Sequence, residues 1–280
     1  MTIVLVTGAS GLVGSRVLPR LATAGFECRA LVRGDLELPP GTTAVRGDLG
    51  EPGSLQAAVE AVDAVVHLAA LFRTDDQDAI WRANLDGTRN LVDAVRTHSP
   101  RARFIMASTG NVYDSDGTRP ALETDACTPT LAYPASKVAA ENLLRDSGLT
   151  WTILRLPFVY GDGDGHLASL GALADRFGLH PAHTYSVAHH RDIAAVIQLA
   201  LTGTMDGRTV NVTDDAPVTV YEMAQLGGNP VASNAEPSQI HGQDAWTARS
   251  SAASAFSRPC RPSTQPPAME SSELFDNGST

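Results

Sequence analysis

Cysteine is scarce in this 280-residue chain, and the three present, Cys28, Cys127 and Cys260, are too few and too scattered for a disulfide framework or a zinc site. A reducing, cytoplasmic location is therefore expected. Five of the eight His lie between His166 and His190, but no Cys joins them and no pair has zinc spacing, so no metal is expected. Positive charge is also in short supply: Lys and Arg total 21 against 31 Asp and Glu, a formal net charge of −10. A surface this acidic repels phosphate backbones and anionic lipid, which argues against nucleic acid and membranes as partners. The longest apolar runs, such as Val65 to Phe72 and Ile193 to Leu201, fall far short of the roughly 20 residues that span a bilayer. No basic segment precedes Ile3-Val4-Leu5-Val6, so a strand is expected where a signal peptide would have to lie. What the chain does have is bulk: 43% of its residues are hydrophobic, and its length suits one large or two small domains with a real core.

Residues 1–156 alternate short β-branched runs with longer amphipathic stretches, the pattern of βαβ units feeding a parallel sheet. Strands are expected at Ile3–Thr7, Cys28–Val32, Ala44–Arg46, Ala64–Leu68, Arg103–Ser108 and Thr150–Leu156. Helices are expected at Gly11–Ala24, Gly53–Ala61, Gln77–Thr97 and Leu131–Ser147. The fold class is thus α/β, a doubly wound parallel sheet of Rossmann type occupying 1–156, with ligands at the carboxyl ends of the strands. From Pro157 the rhythm loosens, then resumes with a helix N-capped by Asp192, a strand at Thr209–Thr213 and a helix from Thr219, giving a small substrate lobe at 157–228. The last 52 residues, 229–280, hold only Val231, Ile240 and Leu274 among Val, Ile and Leu. So few aliphatic side chains cannot offset the ordering entropy, and a disordered tail is expected.

Two motifs carry chemistry. Thr7-Gly8-Ala9-Ser10-Gly11-Leu12-Val13-Gly14 follows the first strand and opens the first helix. Gly8 permits the tight turn, Gly11 lets backbone approach a pyrophosphate and Gly14 allows close helix–strand packing, while the helix N-terminus offers amide donors and a positive dipole. The second motif is Tyr133-Pro134-Ala135-Ser136-Lys137, which puts a phenol and an ammonium on one helix face. A nearby cation favours phenolate and moves Tyr133 toward proton transfer. Ser108-Thr109 ends the preceding strand, and a hydroxyl there can polarise the same substrate oxygen that Tyr133 protonates.

Further pieces fall in the same order: Asp48-Leu49, His67-Leu68-Ala69-Ala70, Asn84-Leu85-Asp86-Gly87-Thr88, Ser108-Thr109 before Val112-Tyr113, and Arg155-Leu156-Pro157-Phe158-Val159-Tyr160-Gly161. Over residues 2–228 the sequence resembles the extended short-chain dehydrogenase/reductase family, also called the NAD-dependent epimerase/dehydratase family. The resemblance implies Gly8, Ser10, Gly11, Leu12, Val13 and Gly14 at the cofactor phosphates, Asp48 and Leu49 at the adenine, Ala69 and Ala70 along the cofactor, and Pro157 beside the nicotinamide. It also implies Tyr133 as acid/base, Lys137 on the ribose hydroxyls, Thr109 orienting substrate and Asn84 lining the substrate site. His67 is read as a structural histidine near the cofactor.

Two departures bear on the reaction. The family's nucleotide-sugar epimerases commonly carry Asn where Phe158 stands, and its sugar dehydratases follow the active-site Thr with Asp-Glu where this chain has Gly110-Asn111. The reading is an NAD(P)-dependent oxidoreductase moving hydride between nicotinamide and a carbonyl or hydroxyl carbon of a small molecule. A nucleotide-sugar epimerase and a non-catalytic dinucleotide sensor are the alternatives. Val32 fills the slot where an NAD enzyme places Asp or Glu, and Arg33 beside it offers a guanidinium suited to a 2′-phosphate, so NADP is expected over NAD. The expected partner is a small-molecule substrate, with self-association into a homodimer left open.

Overall fold

The computed structural model describes residues 1–113, 119–177 and 179–228; the tail expected to be disordered, 229–280, lies outside them, and Cys260 with it. The strands β1 (Ile3–Thr7), β2 (Glu27–Val32), β3 (Thr42–Arg46), β4 (Ala64–His67), β5 (Arg103–Thr109) and β6 (Thr150–Leu156) fall where the β-branched runs put them. Between them lie helices α1 (Gly14–Thr23), α2 (Gln56–Val59), α3 (Gln77–Trp81), α4 (Gly87–His98) and α5 (Ala132–Arg145). Downstream come β7 (Phe158–Tyr160), α6 (Leu170–Phe177), β8 (Thr184–Tyr185), β9 (Val187–His189), α7 (His190–Leu201), β10 (Arg208–Asn211), β11 (Val218–Thr219) and α8 (Val220–Leu226).

Seven strands form one parallel sheet in the order β3-β2-β1-β4-β5-β6-β10. The winding reverses between β1 and β4, which opens a crevice above their carboxyl ends. Side chains alternate across a strand, so Val4 and Val6 of β1 serve one face and Leu5 the other. Val4 and Val6 join Val17, Leu18 and Leu21 of α1 with Ile193 and Ile197 of α7, all fully or nearly fully buried. Leu5 joins Leu91 of α4, Phe104 of β5 and Leu144 of α5. Each such side chain contributes about 1.5–3 kcal/mol, and a one-residue slip of β1 would exchange the faces of all three. Packing on both faces therefore fixes the height of the glycine turn that follows β1.

The structure differs from the sequence reading in three places. The expected helix Gln77–Thr97 is present as α3 and α4, but the junction Arg82–Asp86 is a π-helical turn. Helix α7 starts at His190, and its cap is the His189 side chain, which accepts from Arg191 N at 3.0 Å; Asp192 lies inside the first turn, not at the cap. The chain after Leu156 is not one contiguous lobe. It leaves the sheet for β7, β8 and β9, then returns, with α7 packed on α1 and β10 paired to β6. What remains of the lobe is a small core of Leu170, Ala174, Val187, Val220 and Met223. Its two- and three-residue strands are too short to show a period in the sequence. Helix α8 begins with a capping box in which Thr219 and Glu222 exchange hydrogen bonds, matching the start expected there.

Candidate active site

The turn after β1 is built by absence of side chains. Gly8 has φ +72°, and a Cβ there would lie 2.6 Å from Ala69 N. A Cβ on Gly14 would lie 2.1 Å from the Gly8 carbonyl oxygen, so α1 can start this close to β1 only with glycine. Gly11 N donates to Gly8 O at 2.9 Å and closes the turn. The amides of Leu12 and Val13 have no protein acceptor among the described residues, and they head the dipole of α1. Ser10 and Gly11 are exposed at the crevice side. A diphosphate fits this cradle, because donors are present and the space a side chain would fill is kept open.

The proton-handling groups meet two strands further along the sheet. Thr109 ends β5, while Tyr133 and Lys137 lie one turn apart on α5. Burial outweighs a hydrogen bond with Thr109 and carries the Tyr133 phenol up to about 12, opposite to the lowering expected from the Lys137 cation. Thr109 Oγ1 also accepts from Asn111 N at 3.2 Å, which fixes its rotamer. Lys137 is 1% exposed. Burial lowers its ammonium to about 8, opposed by the negative charge of Glu141 one turn further along α5. Its Nζ has no protein hydrogen bond among the described residues, so its donors remain available to a ligand. Phe72, 52% exposed, lies over Tyr133 with ring centroids 4.4 Å apart. Phe158 stacks on His166 at 4.3 Å, and His166 Nε2 accepts at 2.8 Å from Arg73, the residue after Phe72. A shallow cleft begins at Gly110, next to Thr109, and is walled by Tyr113, Pro157, Phe158, Tyr185 and Asn211.

The other residues singled out in the sequence distribute around this crevice. Ala69 and Ala70 follow β4 on its crevice side, with Ala69 N bonded to Thr7 Oγ1 at 3.3 Å. Asp48 spends Oδ1 on Gly50 N at 2.8 Å, and Leu49 is half-buried against the core and close to Gly87. Arg33 is exposed just beyond β2, and Asp35 is drawn to Arg46 at 2.6 Å. Asn84 departs from expectation. It is 0% exposed, with Oδ1 accepting from Leu71 N at 2.8 Å and Nδ2 donating to Leu71 O at 3.0 Å and Ser136 Oγ at 3.1 Å. Every polar atom of its side chain has a protein partner, so in this structure it positions its neighbours.

Sequence reasoning missed Glu141. It is 0% exposed and accepts from Arg155 Nε at 3.0 Å, Arg155 Nη2 at 2.7 Å, Arg145 Nη2 at 2.7 Å and Ser108 Oγ at 2.5 Å. This joins β5, β6 and α5 directly beneath Thr109 and Lys137. The signal was available: Tyr133, Lys137 and Glu141 are spaced by four, so the helix period puts a carboxylate on the buried face. Arg155 also donates to Tyr113 OH at 2.8 Å, and that hydroxyl donates to Asn211 Oδ1 at 2.6 Å, reaching β10.

A doubly wound sheet with a glycine cradle at its switch point and a Tyr-Lys pair beside it defines a dinucleotide-binding protein of the Rossmann class. The model of the NAD dependent epimerase/dehydratase family matches residues 4–213, and the chain belongs to that family, within the extended short-chain dehydrogenase/reductases. It is 33% identical over 202 residues to ceramide reductase of Caulobacter vibrioides, covering 69% of this chain and 59% of that protein's length. It is 31% identical over 241 residues to 4-hydroxy-2-methyl-3-oxo-4-farnesyl-3,4-dihydroquinoline-1-oxide ketoreductase of Stigmatella aurantiaca, covering 79% of this chain and 71% of that protein. Among solved structures, UDP-glucose 4-epimerase of Thermus thermophilus in complex with NAD superposes with a TM-score of 0.69 at 27% identity, covering 81% of this chain and 82% of that one. No helix among the described residues is long and apolar enough to cross a membrane.

Proposed function

We propose that the protein is an NADP-preferring reductase of small-molecule carbonyls, with Tyr133 as the acid, Thr109 holding the substrate oxygen and Lys137 binding the cofactor ribose and stabilising the phenolate. The observation that carries this reading is the Tyr133 phenol, held protonated by burial beside Thr109 and one turn from a buried ammonium whose donors are unspent. A dinucleotide held here would supply the hydride for the carbonyl carbon. Tyr133 gives its proton to the oxygen, and Lys137 offsets the negative charge then left on the phenol. The Thr109 hydroxyl keeps that oxygen within reach of the phenol. Gly8 to Gly14 hold the diphosphate, with Asp48, Leu49, Ala69, Ala70 and Pro157 along the rest of the cofactor.

Preference for NADP rests on the end of β2. Arg33 is exposed with no carboxylate partner among the described residues, and the nearest acid, Asp35, is engaged by Arg46. A 2′-phosphate there meets the Arg33 guanidinium, with the Asp35 carboxylate already paired to Arg46. For the substrate we favour a ketone with an apolar substituent. Phe72 over the Tyr133 ring offers an apolar wall at the reacting end of the crevice, and the names of the reductase relatives, for ceramide and a farnesyl quinoline, point the same way. The test is NADPH oxidation with a panel of alkyl ketones and aldehydes, run beside UDP-sugars. Tyr133→Phe is expected to lower kcat by at least about a hundredfold with cofactor affinity near wild type. Turnover of a UDP-sugar in place of ketones, or a Tyr133→Phe enzyme that stays active, overturns the reading.

A further inference from the structure

A continuous chain of buried hydrogen bonds joins the glycine turn to the catalytic helix. Ala69 N donates to Thr7 Oγ1, and Thr7 Oγ1 contacts His67 Nδ1 at 2.7 Å. His67 Nε2 contacts Thr88 Oγ1 at 3.0 Å, and Thr88 Oγ1 donates to the Asn84 carbonyl at 2.6 Å inside the π-helical turn. The Asn84 side chain clamps both backbone groups of Leu71 and donates to Ser136 Oγ, which in turn donates to the Tyr133 carbonyl at 2.7 Å. Thr7, His67, Asn84, Thr88 and Ser136 are each 1% exposed or less.

Counting protons leaves one arrangement. The single Thr88 hydroxyl proton goes to the Asn84 carbonyl, so Thr88 must accept from His67 Nε2–H. Burial keeps the imidazole neutral, so Nδ1 carries a lone pair and accepts the Thr7 hydroxyl proton, and the Thr7 oxygen accepts Ala69 N–H. Ser136 likewise has one proton, given to Tyr133 O, and accepts from Asn84. A flipped Asn84 amide would break three bonds, so its orientation is fixed as well. No member has a spare donor, and no member can be replaced by an apolar residue without leaving a buried partner unmet.

We propose that His67, Thr88, Asn84 and Ser136 form a positioning relay that sets Tyr133 on α5 against the Ala69–Leu71 segment, so that the acid and the cofactor floor are held in register. None of these four touches the reacting atoms. The π-helical turn is where the relay bends from the sheet to α5, and Thr88 bonding back to the Asn84 carbonyl stabilises that irregular turn. The catalytic consequence rests on the reading of Tyr133 as the acid; the structural consequence does not.

The test uses the full chain and two variants that cut the relay at separate points, Thr88→Val and Ser136→Ala, with Thr88→Ser as the conservative rescue. In the cofactor-free protein, Thr88→Val is expected to speed amide hydrogen exchange in residues 131–137 at least about tenfold with little change in β6, and Thr88→Ser to restore protection. In turnover, each cutting variant is expected to lower kcat at least about tenfold, and the double variant to lose no more than the worse single one, because both cut one chain. Independent, additive losses, or unchanged exchange in 131–137 with a lowered melting temperature alone, would overturn the relay. Should Thr88→Val not fold, Ser136→Ala, which deletes one oxygen, gives the same exchange and kcat readouts. A wild-type protein that reduces no carbonyl sinks the reading of Tyr133 while the exchange experiment still decides the relay.

Discussion

Glu141→Gln isolates the buried charge beneath the site. Burial by itself would raise the Glu141 carboxyl, but the hydrogen bonds and charge of Arg155, with those of Ser108 and Arg145, hold it below the ordinary carboxylate value. Glutamine keeps the shape and removes the charge, which leaves the Arg155 guanidinium, 4% exposed, without a counter-ion. Breaking a buried pair in this way costs about 3–5 kcal/mol, because the remaining charge stays desolvated. At about 2–4 °C per kcal/mol for a domain of this size, the melting temperature is expected to fall by about 6–20 °C, read by calorimetry or circular dichroism. Removing both charges with Glu141→Gln and Arg155→Met together is expected to recover at least about half of that loss, since no guanidinium is then left stranded at position 155. The same substitution reaches the chemistry. Glu141 opposes the lowering of Lys137, so without it the Lys137 value drops further below about 8. The ammonium is then lost at lower pH, and the alkaline limb of kcat/KM moves toward acid. A melting temperature within about 2 °C of wild type would show that solvent reaches Arg155 and refute the argument.

Gly14→Ala drives a methyl to 2.1 Å from the Gly8 carbonyl, so the cradle must open; cofactor affinity, measured by fluorescence titration, is expected to fall at least about tenfold with α1 still folded. Arg33→Ala is expected to weaken NADP(H) binding at least about fivefold and leave NAD(H) unchanged, and equal losses for both would remove the NADP assignment.

The sheet was legible because its signal is local. Ile3–Thr7 and Thr150–Leu156 are runs of β-branched and apolar residues bounded by turns, and both strands end where those runs end. The glycine turn was legible for a related reason: a positive φ at Gly8 and the close approach at Gly14 each admit one residue type, so the letters carry the geometry. What could not be read is non-local. Asn84 sits in a motif that places it near substrate, yet its fate depends on Leu71 and Ser136, thirteen and fifty-two residues away, which consume its amide. Asp192 looked like a helix cap because capping chemistry favours Asp, but the chain enters α7 from β9, and that approach brings the His189 ring to the first amides instead. The boundary after Leu156 misled because β10 pairs with β6 across more than fifty residues of intervening chain, a contact no window of sequence contains.

The charge state of α5 bears on direction. Burial acts on Tyr133 and Lys137 in the same sense, toward the neutral form of each: the phenol rises to about 12 and the ammonium falls to about 8. A reduction starts from the phenol and ends on the phenolate, so its starting state is the one burial favours, and the cost of the charged product falls on Lys137. An oxidation must start from the phenolate, which at neutral pH has to be formed against burial. Glu141 is what keeps Lys137 cationic enough to meet that charge, and Arg155, held by two bonds to Glu141, keeps the carboxylate from taking the proton itself. On the proposed reading, the buried Glu141–Arg155 pair is therefore part of how α5 carries an acid at neutral pH, and reduction is the direction its electrostatics favour.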